Sequence, residues 1–303
     1  MDRRQFVSLT AAAGLTTAFP GLSLAAGNTI LSRAIPSSGE HIPVLGMGTW
    51  ITFNVGRSKR LRNRSLKVLE TFFAGGGGMI DSSPMYGTSE EVIGYCLAKL
   101  PPQKRLFSAT KVWTATEALG IQQMENSEAL WNEKQFDLMQ IHNLVDWQTH
   151  MKTLEEWKAA KRIRYSGITT SHGRRHGEFE QIMREQKFDF AQFTYNIADR
   201  EAEDRLLPAA ADRGMAVIIN RPFQRGALIQ SLKDKPLPHW AGDIGVQTWP
   251  QFLLKFVLSH PAVTCAIPAT SNPAHMAENL TAGRGEMPDA RMRQRMLTYV
   301  QDL

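Results

Sequence analysis

Cysteine is scarce in this sequence. Only Cys96 and Cys265 occur among 303 residues, in segments that read as a helix and a strand. Buried free thiols are therefore the expected state of both side chains. A disulfide between them stays open, because sequence alone cannot place them in contact.

Aromatic residues are lacking from the densest basic run, residues 56–64, although the chain carries a net charge of +6. A second basic run covers residues 158–164, and no known nucleic-acid-binding module accompanies either one. Solvated helix faces explain both runs better than a nucleic-acid surface does. We therefore expect no nucleic-acid partner.

A long apolar run is also lacking at the amino terminus. The stretch from Phe6 to Phe19 is too short, and too rich in glycine and threonine, to span a bilayer, so no stable membrane insertion is expected. This stretch follows the pair Arg3 and Arg4, and the segment after it ends in the small residues of "SLAA". Residues 1–27 resemble a twin-arginine export signal, which implies the twin-arginine machinery as a partner and a periplasmic location. The alternative is a disordered extension of a cytoplasmic protein.

Beyond this segment, short apolar runs alternate with helix-length amphipathic segments, which predicts βαβ units and a parallel sheet. Eight such units over residues 28–303 predict a single (β/α)8 TIM barrel of the α/β class, whose usual size is about 250 residues. A doubly wound sheet is disfavoured because the sequence has no G-x-G-x-x-G after its first strand. The predicted strands are residues 44–50, 79–83, 105–113, 136–144, 164–170, 188–196, 215–222 and 263–270.

Four consecutive glycines, residues 75–78, precede the second predicted strand and resemble a phosphate cradle. We interpret them instead as the end of the first helix and the turn into the strand, which use the backbone freedom of glycine. Thr88, with Glu91 three residues later, predicts a capping box at the start of the next helix.

Polar residues mark the ends of three successive predicted strands. Asp81 ends the second strand and Tyr86 lies in the loop after it, whereas Lys111 and His142 lie near the ends of the third and fourth. Taken singly, each has an ordinary explanation, such as a helix cap, a packing tyrosine or a core histidine. In a barrel, however, these strand ends meet at one mouth, where active sites lie.

Together these side chains can make a proton donor. A buried lysine requires a carboxylate, for which Asp81 is the candidate, and its ammonium lowers the pKa of a neighbouring phenol. Tyr86 could then protonate a carbonyl oxygen, while a neutral imidazole orients that carbonyl. Because no side chain supplies hydride, this chemistry implies a nicotinamide cofactor. No metal is expected.

Three motifs resemble those of the aldo-keto reductases: "MIDSSPMYGTSEEVIG", "SATKVW" and "FDLMQIHN". This resemblance runs from about Ile42 to Asn279 and implies a (β/α)8 barrel that reduces aldehydes and ketones with NAD(P)H. It makes Tyr86 the general acid, Lys111 the modulator of its pKa, Asp81 the partner of Lys111, and His142 the residue that orients the carbonyl.

The resemblance also implies cofactor contacts. Gln192, with Thr169 and Thr170, would bind the carboxamide, and Asn220 stands where an aromatic residue usually stacks on the nicotinamide. Arg221 or Phe223 would replace part of that contact. "IPATSNPAHMAENL" resembles the adenosine site. It would supply Thr270 and Asn272 to a 2′-phosphate, Glu278 and Asn279 to adenine, and His275 in place of a basic residue. NADPH is therefore the expected cofactor, and NADH is possible.

Trp50 and Trp113 would wall the substrate pocket. The chain stops soon after the last helix, so an open pocket for small or aromatic carbonyl compounds is expected, in a monomer. Two alternatives belong to other classes: a cofactor-binding redox sensor or subunit with little turnover, and a solute-binding protein. The second is disfavoured because such proteins have two lobes rather than eight βα units.

Overall fold

The computed structural model describes residues 29–103 and 106–303, so the predicted export signal lies outside the described residues. Ten strands occur in the described residues, and the last eight form one parallel sheet. The strands are β1 (Ser32–Ala34), β2 (His41–Pro43), β3 (Met47–Gly48), β4 (Met79–Asp81), β5 (Phe107–Val112), β6 (Phe136–Ile141), β7 (Ile163–Thr169), β8 (Phe190–Thr194), β9 (Ala216–Asn220) and β10 (Cys265–Ala266).

Helices follow each strand from β3 onward and pack their apolar sides against the outside of the sheet. None of the helices in the described residues is both long and apolar enough to cross a membrane. The helices are α1 (Lys59–Ala74), α2 (Ser89–Leu97), α3 (Glu117–Trp131), α4 (Trp147–Ala159), α5 (His176–Glu185), α6 (Glu201–Asp204), α7 (Leu206–Asp212), α8 (Ala227–Leu232), α9 (Trp249–Leu258), α10 (Pro273–Thr281) and α11 (Ala290–Gln301).

The sheet closes on itself. Its strands run in sequence order from β3 to β10, and a parallel bridge joins Leu45 to Ala266. The backbone N–H of Gly46 donates to the carbonyl of Ala266 at 2.9 Å, and the N–H of Ala266 donates to the carbonyl of Val44 at 2.9 Å. The predicted (β/α)8 barrel is therefore confirmed, and the doubly wound alternative is excluded.

A β1–β2 hairpin plugs the amino end of the barrel. Ile35 and Ile42 are buried in one cluster with Met79 and Phe107, which begin β4 and β5 on the inner side. Arg33 fastens the hairpin by donating to the backbone carbonyl of Leu258 at 2.6 Å and to two further carbonyls. The alternating sequence pattern does not predict this hairpin.

The glycine run serves the turn between α1 and β4, as predicted. Gly75 is the residue after the last turn of α1, and Gly76 has φ +93°, a left-handed conformation that glycine adopts without strain. At Gly77, a Cβ would lie 2.2 Å from the ring of Phe72, so a side chain has no room there.

The predicted capping box is wrong. Thr88 does precede α2, but its side chain makes no capping bond to that helix. Its hydroxyl donates to Asn54 Oδ1 at 3.0 Å and accepts from the N–H of Gly56 at 2.9 Å. A contact with a distant loop has replaced the local one.

Both cysteines are buried free thiols, as expected. Burial raises the pKa of Cys96 to about 12 and raises that of Cys265 further. Neither thiol is therefore a nucleophile at neutral pH.

Candidate active site

Alternation along the strands decides which side chains enter the barrel. On β5, Phe107 lies in the interior cluster at the closed end, and Lys111 follows four residues later on the same face. Leu138 in the same cluster shows that β6 brings Gln140 and His142 inward in the same way. The interior is thus apolar at the closed end and polar at the mouth.

Lys111 and Asp81 form a buried ion pair. The Lys111 side chain is fully buried, and its Nζ donates to Asp81 Oδ2 at 2.6 Å and to the carbonyl oxygen of Ser82 at 2.6 Å. Burial alone would lower the pKa of Lys111, but Asp81 and then Tyr86 outweigh it, and the pKa is raised. The ammonium therefore stays charged in the interior.

Two glutamines hold the other oxygen of Asp81. Gln140 Nε2 and Gln192 Nε2 donate to Asp81 Oδ1 at 3.0 and 2.9 Å. Sequence reasoning missed Gln140, although its position two residues before His142 on an alternating strand was a usable signal. The predicted cofactor residue Gln192 uses its amide N–H on Asp81, which leaves its carbonyl oxygen as the group available to a carboxamide.

Tyr86 lies above the ion pair in a short 3-10 turn, Pro84–Tyr86. Lys111 Nζ is 5.2 Å from the centroid of its ring, which also meets the His142 ring edge-on at 5.7 Å between centroids. Burial raises the pKa of Tyr86, and Lys111 offsets only part of that rise. Lys111 thus lowers the pKa of Tyr86, as expected, but burial raises the pKa by more, so the net shift is upward.

His142 is a neutral imidazole. Burial, and then the charge of Lys111, lower the pKa of His142 well below 6.5. Its Nδ1 lies 2.8 Å from Ser83 Oγ, which also accepts the backbone N–H of Met85 at 3.2 Å. A neutral ring carries one proton, so it can donate from only one nitrogen.

A buried carboxylate underlies this cluster. Glu90 accepts hydrogen bonds from the Thr110 hydroxyl at 2.6 Å, the Ser127 hydroxyl at 3.0 Å and Trp131 Nε1 at 3.2 Å. Burial raises the pKa of Glu90, and Lys111 is among the groups that oppose this shift. Glu90 does not line the cavity and ties α2 to α3 and β5.

A cavity of about 480 Å³ opens above Asp81, Tyr86, Lys111 and His142, at the carboxyl ends of the strands. Asp81, Tyr86 and His142 line its floor, whereas Lys111 is fully buried and does not line it. The predicted residues that line the cavity are Trp50, Thr169, Thr170, Gln192, Asn220, Arg221, Phe223, Thr270, His275, Glu278 and Asn279.

The two threonines after β7 differ in what they offer. The Thr169 hydroxyl accepts the N–H of Asn143 at 3.0 Å, which leaves its own hydrogen for a ligand. The Thr170 hydroxyl donates to the carbonyl of Arg174 at 2.6 Å and so braces the loop.

Asn220 is also a bracing residue. Its Nδ2 donates to the carbonyl of Thr170 at 2.9 Å, and its Oδ1 accepts the Thr194 hydroxyl at 2.7 Å. Both ends of the amide are therefore engaged between neighbouring strand ends. Asn220 cannot stack as the aromatic residue of the resemblance would.

Basic side chains gather at the cavity edge. Arg221, with φ +52°, has its Nε and Nη1 buried without a hydrogen-bond partner among the described residues. Burial and then Arg225 lower the pKa of Arg221, and Arg221 in turn helps to lower that of His172. Arg225 lies over the ring of Trp50, 4.5 Å from its centroid. Sequence reasoning missed Arg225 and His172, which line the cavity with Arg221.

The far end of the cavity is formed by α10 and the segment before it. Thr270, His275, Glu278 and Asn279 line it, whereas Asn272 is exposed and caps α10 by accepting the N–H of Ala274 at 3.0 Å. Asn272 is thus outside the cavity wall, although sequence reasoning assigned it to a 2′-phosphate.

Apolar side chains border the end near His142. Trp50, Ile51 and Met85 line the cavity, and Ile51 is 55% exposed. Trp113 does not line it, but its ring lies 6.5 Å from that of His142 and is 42% exposed. A ligand at this end would meet hydrocarbon surface beside two proton-donating groups.

A family model described as "Aldo/keto reductase family" matches residues 44–295. Among curated proteins, the chain is similar to the aldo-keto reductase YhdN of Bacillus subtilis, with 24% identity over 217 residues, 67% of this chain and 65% of that one. It is also similar to the NADH-specific methylglyoxal reductase of Escherichia coli, with 26% identity over 195 residues, 54% of this chain and 57% of that one. Each match thus spans less than two thirds of the relative.

Solved structures share the fold. An aldo/keto reductase from Klebsiella pneumoniae, in complex with NADP and acetate, superposes with a TM-score of 0.74 at 24% identity, over 90% of this chain and 95% of that one. An aldo/keto reductase from Brucella melitensis gives 0.71 at 18% identity, over 89% and 99%.

Proposed function

The chain belongs to the aldo/keto reductase family, and we propose on that basis that it reduces an aldehyde or ketone to the alcohol with NADPH, with NADH as a possible substitute. One observation carries the assignment to this cavity. The Lys111–Asp81 ion pair, the Tyr86 phenol and the neutral His142 imidazole meet at its floor. A cavity that served binding alone would have no use for a fully buried lysine beneath a phenol.

Tyr86 is the proposed proton donor. Because its pKa is raised, the phenol holds its proton at neutral pH until charge develops on the carbonyl oxygen. The Lys111 ammonium then stabilises the phenolate that forms, and Asp81, held by two amides, keeps that ammonium in place. When bound, the nicotinamide supplies the hydride that the carbonyl carbon receives.

His142 is the proposed orienting group. Its neutral ring can donate one hydrogen bond to the carbonyl oxygen without competing with Tyr86 as an acid. The apolar border of Trp50, Ile51 and Met85 then favours carbonyl compounds with a small hydrocarbon or aromatic group.

The described residues fit a nicotinamide dinucleotide. The Thr169 hydroxyl and the Gln192 carbonyl oxygen are free to meet a carboxamide, as donor and acceptor. The unpartnered nitrogens of Arg221 suit an anionic ligand. Thr270, Glu278 and Asn279 would hold the adenosine end.

A redox sensor or subunit with little turnover is the second candidate. The engaged amide of Asn220 favours it, because the ring of a nicotinamide gains no stacking partner there. The buried ion pair beneath Tyr86 favours the reductase instead.

We also propose that residues 1–27 direct export by the twin-arginine route, with a periplasmic monomer as the product. The support is the pair Arg3 and Arg4 followed by a short apolar stretch. Replacement of both arginines by lysine should keep the protein in the cytoplasm, as measured by cell fractionation. An unchanged distribution would contradict the export proposal.

The test of the reaction is the oxidation of NADPH and NADH by wild type and Tyr86→Phe with a panel of aldehydes. We expect the variant to lose turnover but to bind the cofactor with unchanged Kd. Equal rates would contradict the assignment of Tyr86. Cofactor binding without carbonyl-dependent oxidation by wild type would favour the sensor.

A further inference from the structure

The hydroxyl of Ser83 contacts the Nδ1 side of the His142 ring. Ser83 is 1% exposed, and its Oγ lies 2.8 Å from His142 Nδ1. A hydroxyl and an imidazole nitrogen can bond in either direction, so the distance alone does not say which of them donates. The direction matters because it decides which ring nitrogen carries the proton.

Ser83 has a second hydrogen bond that settles the direction. Its Oγ accepts the backbone N–H of Met85 at 3.2 Å, which closes the turn that carries Tyr86. The hydroxyl still has one hydrogen to donate, and His142 Nδ1 lies within hydrogen-bond distance of it at 2.8 Å. If Nδ1 carried the proton instead, Ser83 would accept twice and its own hydrogen would be left buried without an acceptor.

We propose that Ser83 is a positioning residue that fixes His142 in the neutral tautomer with its proton on Nε2. Nδ1 is engaged by Ser83, so Nε2 is the nitrogen left for the cavity that His142 lines. This inference rests on the proposed reductase function only for its catalytic consequence. The tautomer itself is a property of the protein without substrate.

The consequence for the reaction is the polarity of the group that meets the carbonyl oxygen. With the proton on Nε2, His142 donates to that oxygen and supports the charge that develops there. In the other tautomer, Nε2 would present a lone pair to the carbonyl oxygen and repel it. The same turn thus carries the proposed acid, Tyr86, and the residue that sets the donor, Ser83.

The first experiment reads the tautomer by nitrogen NMR on protein labelled with ¹⁵N-histidine, with His142→Gln to assign the signals. We expect a protonated Nε2 and an unprotonated Nδ1 in wild type, and a mixture of both tautomers in Ser83→Ala. Ser82→Ala is the matched control for the tautomer, because the Ser82 hydroxyl has no hydrogen-bond partner in the part of the chain that the structure describes. A proton on Nδ1 in wild type would overturn the proposal, as would an unchanged tautomer in Ser83→Ala.

The second experiment measures kcat and cofactor Kd for Ser83→Ala and Ser83→Thr. Loss of one hydrogen bond predicts that kcat falls about tenfold in Ser83→Ala with cofactor Kd unchanged, and that the hydroxyl of Ser83→Thr restores most of it. Equal kcat values in wild type and Ser83→Ala would overturn the catalytic part. Should wild type show no turnover at all, the NMR result still decides the tautomer, so the two failures are distinguishable.

Discussion

Gln140 Nε2 donates to Asp81 Oδ1 at 3.0 Å, on the carboxylate oxygen opposite the one that binds Lys111. The ion pair is therefore held from both sides, by an ammonium on one oxygen and by the amides of Gln140 and Gln192 on the other. This arrangement fixes the position of the ammonium beneath Tyr86.

Replacement of Gln140 by leucine should destabilise the protein and slow the reaction. A buried carboxylate oxygen loses one of two donors, which costs about 1–3 kcal/mol of unfolding free energy. We expect kcat to fall several-fold as the position of Lys111 loosens. Urea unfolding and steady-state rates provide the measurement. Gln181→Leu, on the exposed side of α5, is the control and should change neither quantity.

Replacement of Lys111 by methionine should be more damaging, because it leaves the carboxylate of Asp81 buried without its cation. Breaking a buried pair in this way typically costs about 3–5 kcal/mol. The double variant with Asp81→Asn should lose less stability than the two single losses added together. Additive losses in a double-mutant cycle would show that the two residues are not coupled.

His142 should make stability depend on pH in a defined direction. Its pKa in the folded protein is held well below 6.5 by burial and by Lys111, whereas the unfolded chain takes up a proton near pH 6.5. The unfolded state therefore binds more protons below that pH. The contribution of the neutral His142 ring to the free energy of unfolding is therefore complete above about pH 6.5. As the pH drops below that value, this contribution decreases by at most about 1.4 kcal/mol per pH unit.

Urea unfolding of wild type and His142→Gln at several pH values tests this dependence. The wild type should lose stability more steeply than the variant as the pH is lowered from about 6.5. Parallel curves would mean that His142 ionises normally in the folded protein.

Arg221 should contribute to cofactor binding. Its Nε and Nη1 lie at the cavity without partners among residues 29–103 and 106–303, and a charge-assisted hydrogen bond is worth about 1.5–3 kcal/mol. Arg221→Met should therefore weaken NADPH binding by about tenfold or more in titration calorimetry. Arg64→Met, exposed on α1, controls for the loss of a charge and should leave Kd unchanged. An equal Kd for Arg221→Met would place the cofactor elsewhere.

The barrel and its polar mouth could be predicted from sequence because both depend on short-range patterns. Apolar runs of strand length alternate with amphipathic segments, and the cost of a buried ammonium demands a carboxylate such as Asp81 for Lys111. Gln140 could have been predicted in the same way, because it lies on the inward face of β6, two residues before His142.

The remaining features depend on contacts that no local pattern contains. The hydroxyl of Thr88 binds Asn54 from another loop instead of capping α2, and Asn220 bridges two strand ends. The raised pKa of Tyr86 results from burial of its phenol in the folded barrel, which spacing along the chain does not encode. The bond between Ser83 and His142 joins residues 59 positions apart and depends on that same turn.

The β1–β2 hairpin makes the two ends of the barrel different, because it closes one end and the cavity lies at the other. Because Ile35 and Ile42 close the end opposite the cavity, the described chain begins behind the barrel rather than beside its mouth. Among the described residues, the cavity therefore has its entrance at the carboxyl ends of the strands, and a ligand would enter and leave on that side.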